Sequence, residues 1–144
     1  MKNFIREKLL QGLDALKEEI KEVDAAGKLW KTSGEILNPP GTLALHLAGN
    51  IQHFVGAQLG HTGYLRQRDR EFNERDISLE DLLKEISAAR TAVVNTFIQL
   101  HDTGLSTKYP VSFLGHDRTT IEVLFILYGH MQYHLGQINY LRRM

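Results

Sequence analysis

The stretch IEVLFILYGHMQYHLGQINYLRR, residues 121–143, decides the fold of this chain, because its apolar residues recur at the spacing of an amphipathic helix. They form two seams: Ile121, Leu124, Tyr128, Met131, Leu135 and Ile138 on one, and Val123, Leu127, His130, His134 and Leu141 on the other. Asp117 or Thr119 can cap the start, and two terminal arginines suit the negative end of the helix dipole. We predict a helix over residues 118–142 that is buried on more than one side, either within the core or at a homodimer interface.

The first of three further helices, over residues 3–26, shows an unbroken apolar stripe of Ile5, Leu9, Leu13, Leu16, Ile20 and Val23. The third, over residues 79–102, follows Ser78 as a cap, with Glu80 and Asp81 in the first turn. KYPVSF, residues 108–113, is the one candidate for extended structure, and Pro110 argues against a strand there. The chain is therefore expected to be all-helical.

The second helix, over roughly residues 40–60, begins after the turn sequence Asn38-Pro39-Pro40-Gly41. It contains Gly49, Gly56 and Gly60, each of which lowers helix propensity by up to about 1 kcal/mol relative to alanine. A helix with three such residues needs tertiary packing to hold it. We expect another part of the chain to approach it closely.

Composition limits the architecture and the partners. The 144 residues are 42% hydrophobic and 24% charged, which is typical of one globular domain spanning residues 1–144. Four helices in that length predict a four-helix bundle. The formal net charge of zero argues against nucleic acid or an anionic membrane as a partner. The chain starts without a signal peptide pattern and lacks an apolar run of about 18 residues, so we expect a cytoplasmic protein.

His130 and His134 stand one helical turn apart, which places both imidazoles on one face and allows them to share a divalent ion. The absence of cysteine restricts any metal site to nitrogen and oxygen ligands. No glutamate lies between the two histidines, so the HExxH motif of metallopeptidases is not present. Water or a carboxylate remains an alternative partner for buried imidazoles.

Helix two offers candidates for a third ligand. His46, Asn50 and His53 share one of its faces. His46 and His53 are seven residues apart, which is about 10 Å along the helix axis, so both can hardly bind the same ion. The residues alone do not decide between them.

Two motifs bear a family resemblance. HLAGN at residues 46–50 and HMQYHLGQI at residues 130–138, in this order, resemble the DinB/YfiT-like superfamily, which includes bacillithiol S-transferases and mycothiol-dependent maleylpyruvate isomerase. DREF at residues 69–72 is similar to a segment of some DinB-like proteins. The resemblance spans essentially the whole chain. It implies an up-down-down-up bundle and one divalent metal ion, zinc or nickel, held by His46, His130 and His134.

The positions of the histidines along their helices are compatible with that topology. With His46 as the ligand, the site lies about 9 Å from the start of helix two, and His134 lies about 12 Å from the end of helix four. These depths match when the two helices are antiparallel, which requires a long crossover of about 30 Å between helices two and three. Residues 61–77 can extend about 50 Å, so they can make it. A site built on His53 would give a different register.

The resemblance implies transfer of a low-molecular-weight thiol to an electrophile at the metal centre. A metal-dependent hydrolase and a non-catalytic metal-binding or interaction module are the alternatives. Asn50 and Gln137 are candidates for amides that orient the ligands or the substrate, or that simply join helices. The segment RQRDREFNERD, residues 66–76, is expected to be a solvated connection, although Arg66, Arg68 and Arg70 would face an anionic thiol if it covered the site.

Overall fold

The structure is a computed structural model that describes all 144 residues. It contains helix α1 (Lys2–Ala25), helix α2, the short helix α3 (Arg68–Asn73), helix α4 (Leu79–Gln99) and helix α5 (Thr120–Arg143). Helix α2 consists of an α-helical part (Pro40–Ile51), a π-helical part (Gln52–Ala57) and a last α-helical turn (Gln58–Gly60). The all-α prediction is confirmed, and the long helices begin and end within three residues of their predicted bounds.

Residues 108–113 do not form a strand. The segment between α4 and α5 contains a 3₁₀ turn (Asp102–Ser106) and two isolated β-bridges, Lys108 with Thr119 and Phe113 with His116. The first bridge ties the loop to the start of α5, and the second lies within the loop. None of the helices combines the length and apolar character needed to cross a bilayer.

Contacts of α1 give the directions of two other helices. Near its end, the Lys28 ammonium group donates to the Arg142 carbonyl at 2.9 Å, so α1 and α5 end on the same side of the bundle. Near its start, the Lys2 ammonium group donates to the Leu100 carbonyl, 2.8 Å away, just after the end of α4. Helix α1 is therefore parallel to α5 and antiparallel to α4.

Contacts of α2 complete the topology. The Gln52 amide donates to Glu85 at 3.3 Å, and Gly60 packs against Thr96, so α2 and α4 run in the same direction. Towards α5, His46 lies opposite His130, whereas the earlier Leu43 shares a cavity with the later Leu141, so these helices are antiparallel. The order is up-down-down-up, as predicted, and residues 61–77 form the crossover.

The core surrounds α2. All twelve residues of Pro40–Ile51 are buried, because α1, α4, α5 and the crossover helix α3 all contact this helix. The predicted stripe of α1 is completely buried, from Ile5 to Val23. A polar side chain on this part of α2 consequently points into the protein, which is the situation of His46.

Candidate metal centre

His46, His130 and His134 converge at the interface of α2 and α5. Helical spacing predicts the pair on α5, and the family resemblance implies His46 as the third member. The Nε2 atom of His130 lies 3.1 Å from Nε2 of His46 and 3.1 Å from Nε2 of His134. The ligand atoms of all three residues are within 4.8 Å of one another. His46 is buried and the two residues of α5 are partly buried.

The outer nitrogens of two of these rings have defined partners. His134 Nδ1 is 2.7 Å from the Gln137 amide oxygen, and His46 Nδ1 is 3.2 Å from a Glu71 carboxylate oxygen. Because an oxygen of either kind accepts, Nδ1 carries the proton in both rings. In their neutral forms, the Nε2 atoms of His46 and His134 therefore present lone pairs towards His130.

His130 cannot satisfy both lone pairs as a neutral ring. Its Nδ1 is buried without a hydrogen-bond partner. If the proton is on Nε2, the ring can donate a hydrogen bond to only one of the two neighbours. If the proton is on Nδ1, the ring donates to neither neighbour and leaves a buried donor unpaired. Burial and the charges of His134, His46 and Arg66 lower the pKa of His130 to about 4, so the ring is neutral at pH 7.

A divalent ion fits this arrangement. Nitrogens bound at 2.0–2.1 Å in tetrahedral geometry lie about 3.3 Å from one another, close to the observed separations. Metal ions bind neutral imidazole. Burial favours this state here, because it lowers the pKa of His134 as well as that of His130. The three histidines could hold a metal ion and would leave a coordination position open.

The crossover supplies a support for His46 that the sequence did not reveal. The Arg66 guanidinium donates to both carboxylate oxygens of Glu71, from Nη2 at 2.9 Å and from Nε at 3.0 Å. Glu71 in turn accepts from His46. Arg66 Nη2 also lies 3.3 Å from His46 Nδ1, but both nitrogens carry protons, so the carboxylate is the partner that we assign to each.

Glu71 is a buried carboxylate, with only 6% of its surface exposed. Burial by itself raises the pKa of its carboxyl group, but hydrogen bonds from His46 and Arg66 and their charges outweigh burial and lower the pKa. The prediction that residues 66–76 form a solvated connection is therefore wrong for Glu71. Helix α3 packs against the site, where the Phe72 ring lies 4.9 Å from the His46 ring.

Comparison with known proteins gives the family. The family described as "Protein of unknown function (DUF1572)" matches residues 7–144. The chain belongs to this family. No curated protein matches it. The three histidines of this DUF1572 domain and the crossover residues that support them all lie within the matched range.

The other predicted residues of the DUF1572 domain occupy different positions. Gln137 accepts from His134 and so orients that ring, whereas the side-chain oxygen of buried Asn50 has no partner. His53 lies outside the cluster and packs edge-on against Phe54, with its Nδ1 buried and unpaired. The remaining histidines, His61, His101 and His116, are exposed.

The close approach of Glu71 explains the glycine at position 49, one turn after His46 in helix α2. A Cβ atom at this position would collide with the Glu71 carboxylate, so the crossover can reach His46 only past a residue without a side chain. The close approach that the glycines of helix two predicted is present here, and again between Gly60 and Thr96.

Gly49→Ala is expected to destabilise the protein by about 1–3 kcal/mol, because Glu71 must move or the helices must separate. Metal affinity should fall about 10–100-fold if Glu71 no longer holds His46. The measurements are urea unfolding of the metal-free protein and competition with a chelator. Gly129→Ala is the matched control, since its Cβ would meet no atom within 4 Å; it should raise stability by up to about 1 kcal/mol. Equal behaviour of the two variants would contradict the role assigned to Gly49.

Proposed function

We propose that this chain is a metal-dependent enzyme of the DinB-like superfamily that transfers a low-molecular-weight thiol to an electrophile. The observation that carries the proposal is the convergence of three Nε2 atoms, since Nε2 of His130 lies 3.1 Å from Nε2 of both His46 and His134. Three imidazole ligands with an open position are typical of catalytic sites, whereas structural zinc sites are closed by four protein ligands. We expect zinc or nickel.

The chemistry divides between the cosubstrate and the protein. A bound divalent ion would lower the pKa of a thiol and hold the thiolate. In the transfer, the thiol loses its proton to solvent and its sulfur forms a bond to an electrophilic carbon. The electron pair of the bond that breaks at this carbon departs with a leaving group or, in an addition, stays on the adjacent atom, which takes up a proton. The chain contains no cysteine, so the sulfur must come from a cosubstrate.

The protein residues hold the ligands in place. Gln137 and Glu71 each accept a hydrogen bond from the outer nitrogen of a histidine, which keeps the inner nitrogen free to bind a metal. Arg66 balances the charge of Glu71 within the protein. These contacts fix two of the three imidazoles before any ion arrives.

Metal-assisted hydrolysis is less well supported. A general base must reach the water molecule that it activates. Glu71 is the buried carboxylate nearest to the histidines, but it lies on the Nδ1 side of His46, away from the shared Nε2 atoms, and Arg66 occupies both of its oxygens. Its position suits the orientation of His46.

The test combines metal content with turnover. Untagged wild-type protein and His134→Ala are exposed to the same divalent metals, dialysed and analysed for bound metal. Both are then assayed with a panel of low-molecular-weight thiols and electrophiles. We expect the wild type to retain about one ion per chain and to accelerate thiol addition, and His134→Ala to do neither. His116→Ala, at an exposed histidine, is the control and should behave as wild type.

Each other result has a definite meaning. Equal metal retention by wild type and His134→Ala would refute the three-histidine site. Metal retention without turnover across the panel would refute the transferase and favour a metal-binding module. Hydrolysis of activated esters without thiol addition would favour the hydrolase.

The homodimer and the cytoplasmic location remain predictions. Helix α5 presents Phe125, Tyr133 and Tyr140 on its exposed side, with Gly129 and Gly136 between them. Aromatic residues are enriched at protein interfaces. A second copy of the chain is the partner that we expect on this surface.

A further inference from the structure

A cavity of about 340 Å³ lies next to the candidate metal centre. It is formed between α5 and the segment that precedes α2. His134 and Gln137 form one edge of it, so it adjoins the pair that orients one of the metal-binding imidazoles. Its volume is within the range of small-molecule binding sites.

The walls of this cavity are mainly apolar. They consist of Ile36, Leu37, Leu43, Tyr133 and Leu141. Leu37 is 80% exposed and Tyr133 is 65% exposed, although both are large side chains. Exposed apolar residues that gather around a concave surface mark a binding site more often than isolated ones do. Leu43, in contrast, is buried and belongs to the core.

No lysine, arginine, aspartate or glutamate lines the cavity, and its other polar residue is Asn38. In the metal-free protein, an anionic ligand would lose part of its hydration there without gaining a cationic partner, which is unfavourable. A second cavity differs, because Arg70, Glu71 and Glu85 line it. The two cavities therefore suit different chemistry.

We propose that the cavity beside His134 binds the neutral, apolar part of the electrophilic substrate. The electrophilic nature of the ligand rests on the proposed function. The preference for a neutral apolar molecule rests on the walls of the cavity alone. The amides of Asn38 and Gln137 can hydrogen-bond one polar group of such a molecule. The same charge argument disfavours a carboxylate or phosphate in this position of the metal-free protein.

Two fluorescent probes with the same aromatic skeleton test the inference. N-phenyl-1-naphthylamine is neutral, and 8-anilino-1-naphthalenesulfonate carries one negative charge. We expect the neutral probe to bind the metal-free wild-type protein about tenfold more tightly or better, because no cationic side chain lines the cavity to pair with the sulfonate. Fluorescence titrations are made on both the metal-loaded and the metal-free protein.

Leu37→Lys locates the binding site. The substitution places a cation at the exposed mouth of the cavity and removes no core contact, so folding is preserved. We expect it to weaken binding of the neutral probe about fivefold or more, and to strengthen binding of the anionic probe. Ile98→Lys is the control, since Ile98 is an equally exposed apolar residue on α4 and does not line this cavity. It should leave both affinities unchanged.

The outcomes separate this inference from the proposed function. Equal affinity for the two probes, or equal effects of Leu37→Lys and Ile98→Lys, would overturn the inference. The metal content of Leu37→Lys should equal that of wild type. If the wild-type protein binds no metal, the proposed function fails, and the titrations on the metal-free protein still decide whether the cavity prefers a neutral ligand.

Discussion

His130→Ala is expected to abolish the rise in melting temperature that a divalent ion produces in the wild-type protein. His130 Nε2 contacts the Nε2 atoms of both other histidines, so its removal deletes the central member of the cluster. At a free metal concentration of 100 times the dissociation constant, binding stabilises the folded state by about 2.7 kcal/mol. For a domain of this size, that corresponds to an increase of about 5–10 °C.

Without a metal ion, His130→Ala should change the unfolding temperature only slightly. The Nδ1 atom of His130 is buried without a partner, so the wild-type imidazole contributes an unsatisfied polar group to the folded state. Removing this unsatisfied group should offset much of the stability that is lost with the contacts of the imidazole. The metal-free variant should therefore unfold close to the wild-type temperature. The measurement is a thermal scan with and without zinc or nickel. A metal-dependent rise of equal size in His130→Ala and wild type would exclude His130 as a ligand.

Glu71→Gln is expected to lower the free energy of unfolding of the metal-free protein by about 3 kcal/mol. The substitution keeps the shape of the side chain but leaves the Arg66 guanidinium, which is largely buried, without a counter-charge. It also weakens the hydrogen bond that orients His46, so metal affinity should fall about 10–100-fold. Urea unfolding measures the first effect, and competition with a chelator measures the second.

Glu74→Gln is the matched control for this prediction. Glu74 lies three residues after Glu71 and accepts from Arg70, but both side chains of that pair are substantially exposed. Exposed pairs of this kind contribute about 0–1 kcal/mol, and Glu74 does not contact the histidines. If Glu71→Gln binds metal as tightly as Glu74→Gln, Glu71 has no role in orienting His46.

The helices and the histidines were predictable because they depend on local periodicity. Helical spacing alone placed His130 and His134 on one face. The family resemblance identified His46 as the third member. Spacing could not decide between His46 and His53, because both are on one face of α2. The structure separates them: His46 meets α5, whereas His53 packs against Phe54 at the start of the π-helical part.

The support from the crossover was not predictable from local pattern. Residues 66–76 mix charges of both signs, which usually indicates exposure, and neither charge nor apolar spacing in that run distinguishes Glu71 from Glu74. One sequence signal pointed to the close approach, which was the glycine at position 49 within a helix. That signal gave the place of the contact and not the identity of its partner, because a missing side chain does not encode what fills the space.

The sequence by itself determined the four long helices, the all-α class and the helix faces that carry the histidines, since apolar spacing and capping residues act over a few turns of chain. The tertiary structure alone decided that Glu71 and Arg66 are buried against His46 and that an uncharged cavity adjoins His134. These features depend on the path of the crossover between α2 and α4 and of the segment before α2. Such paths are set by packing between residues that are distant in the sequence. The local periodicity of the sequence does not encode that packing.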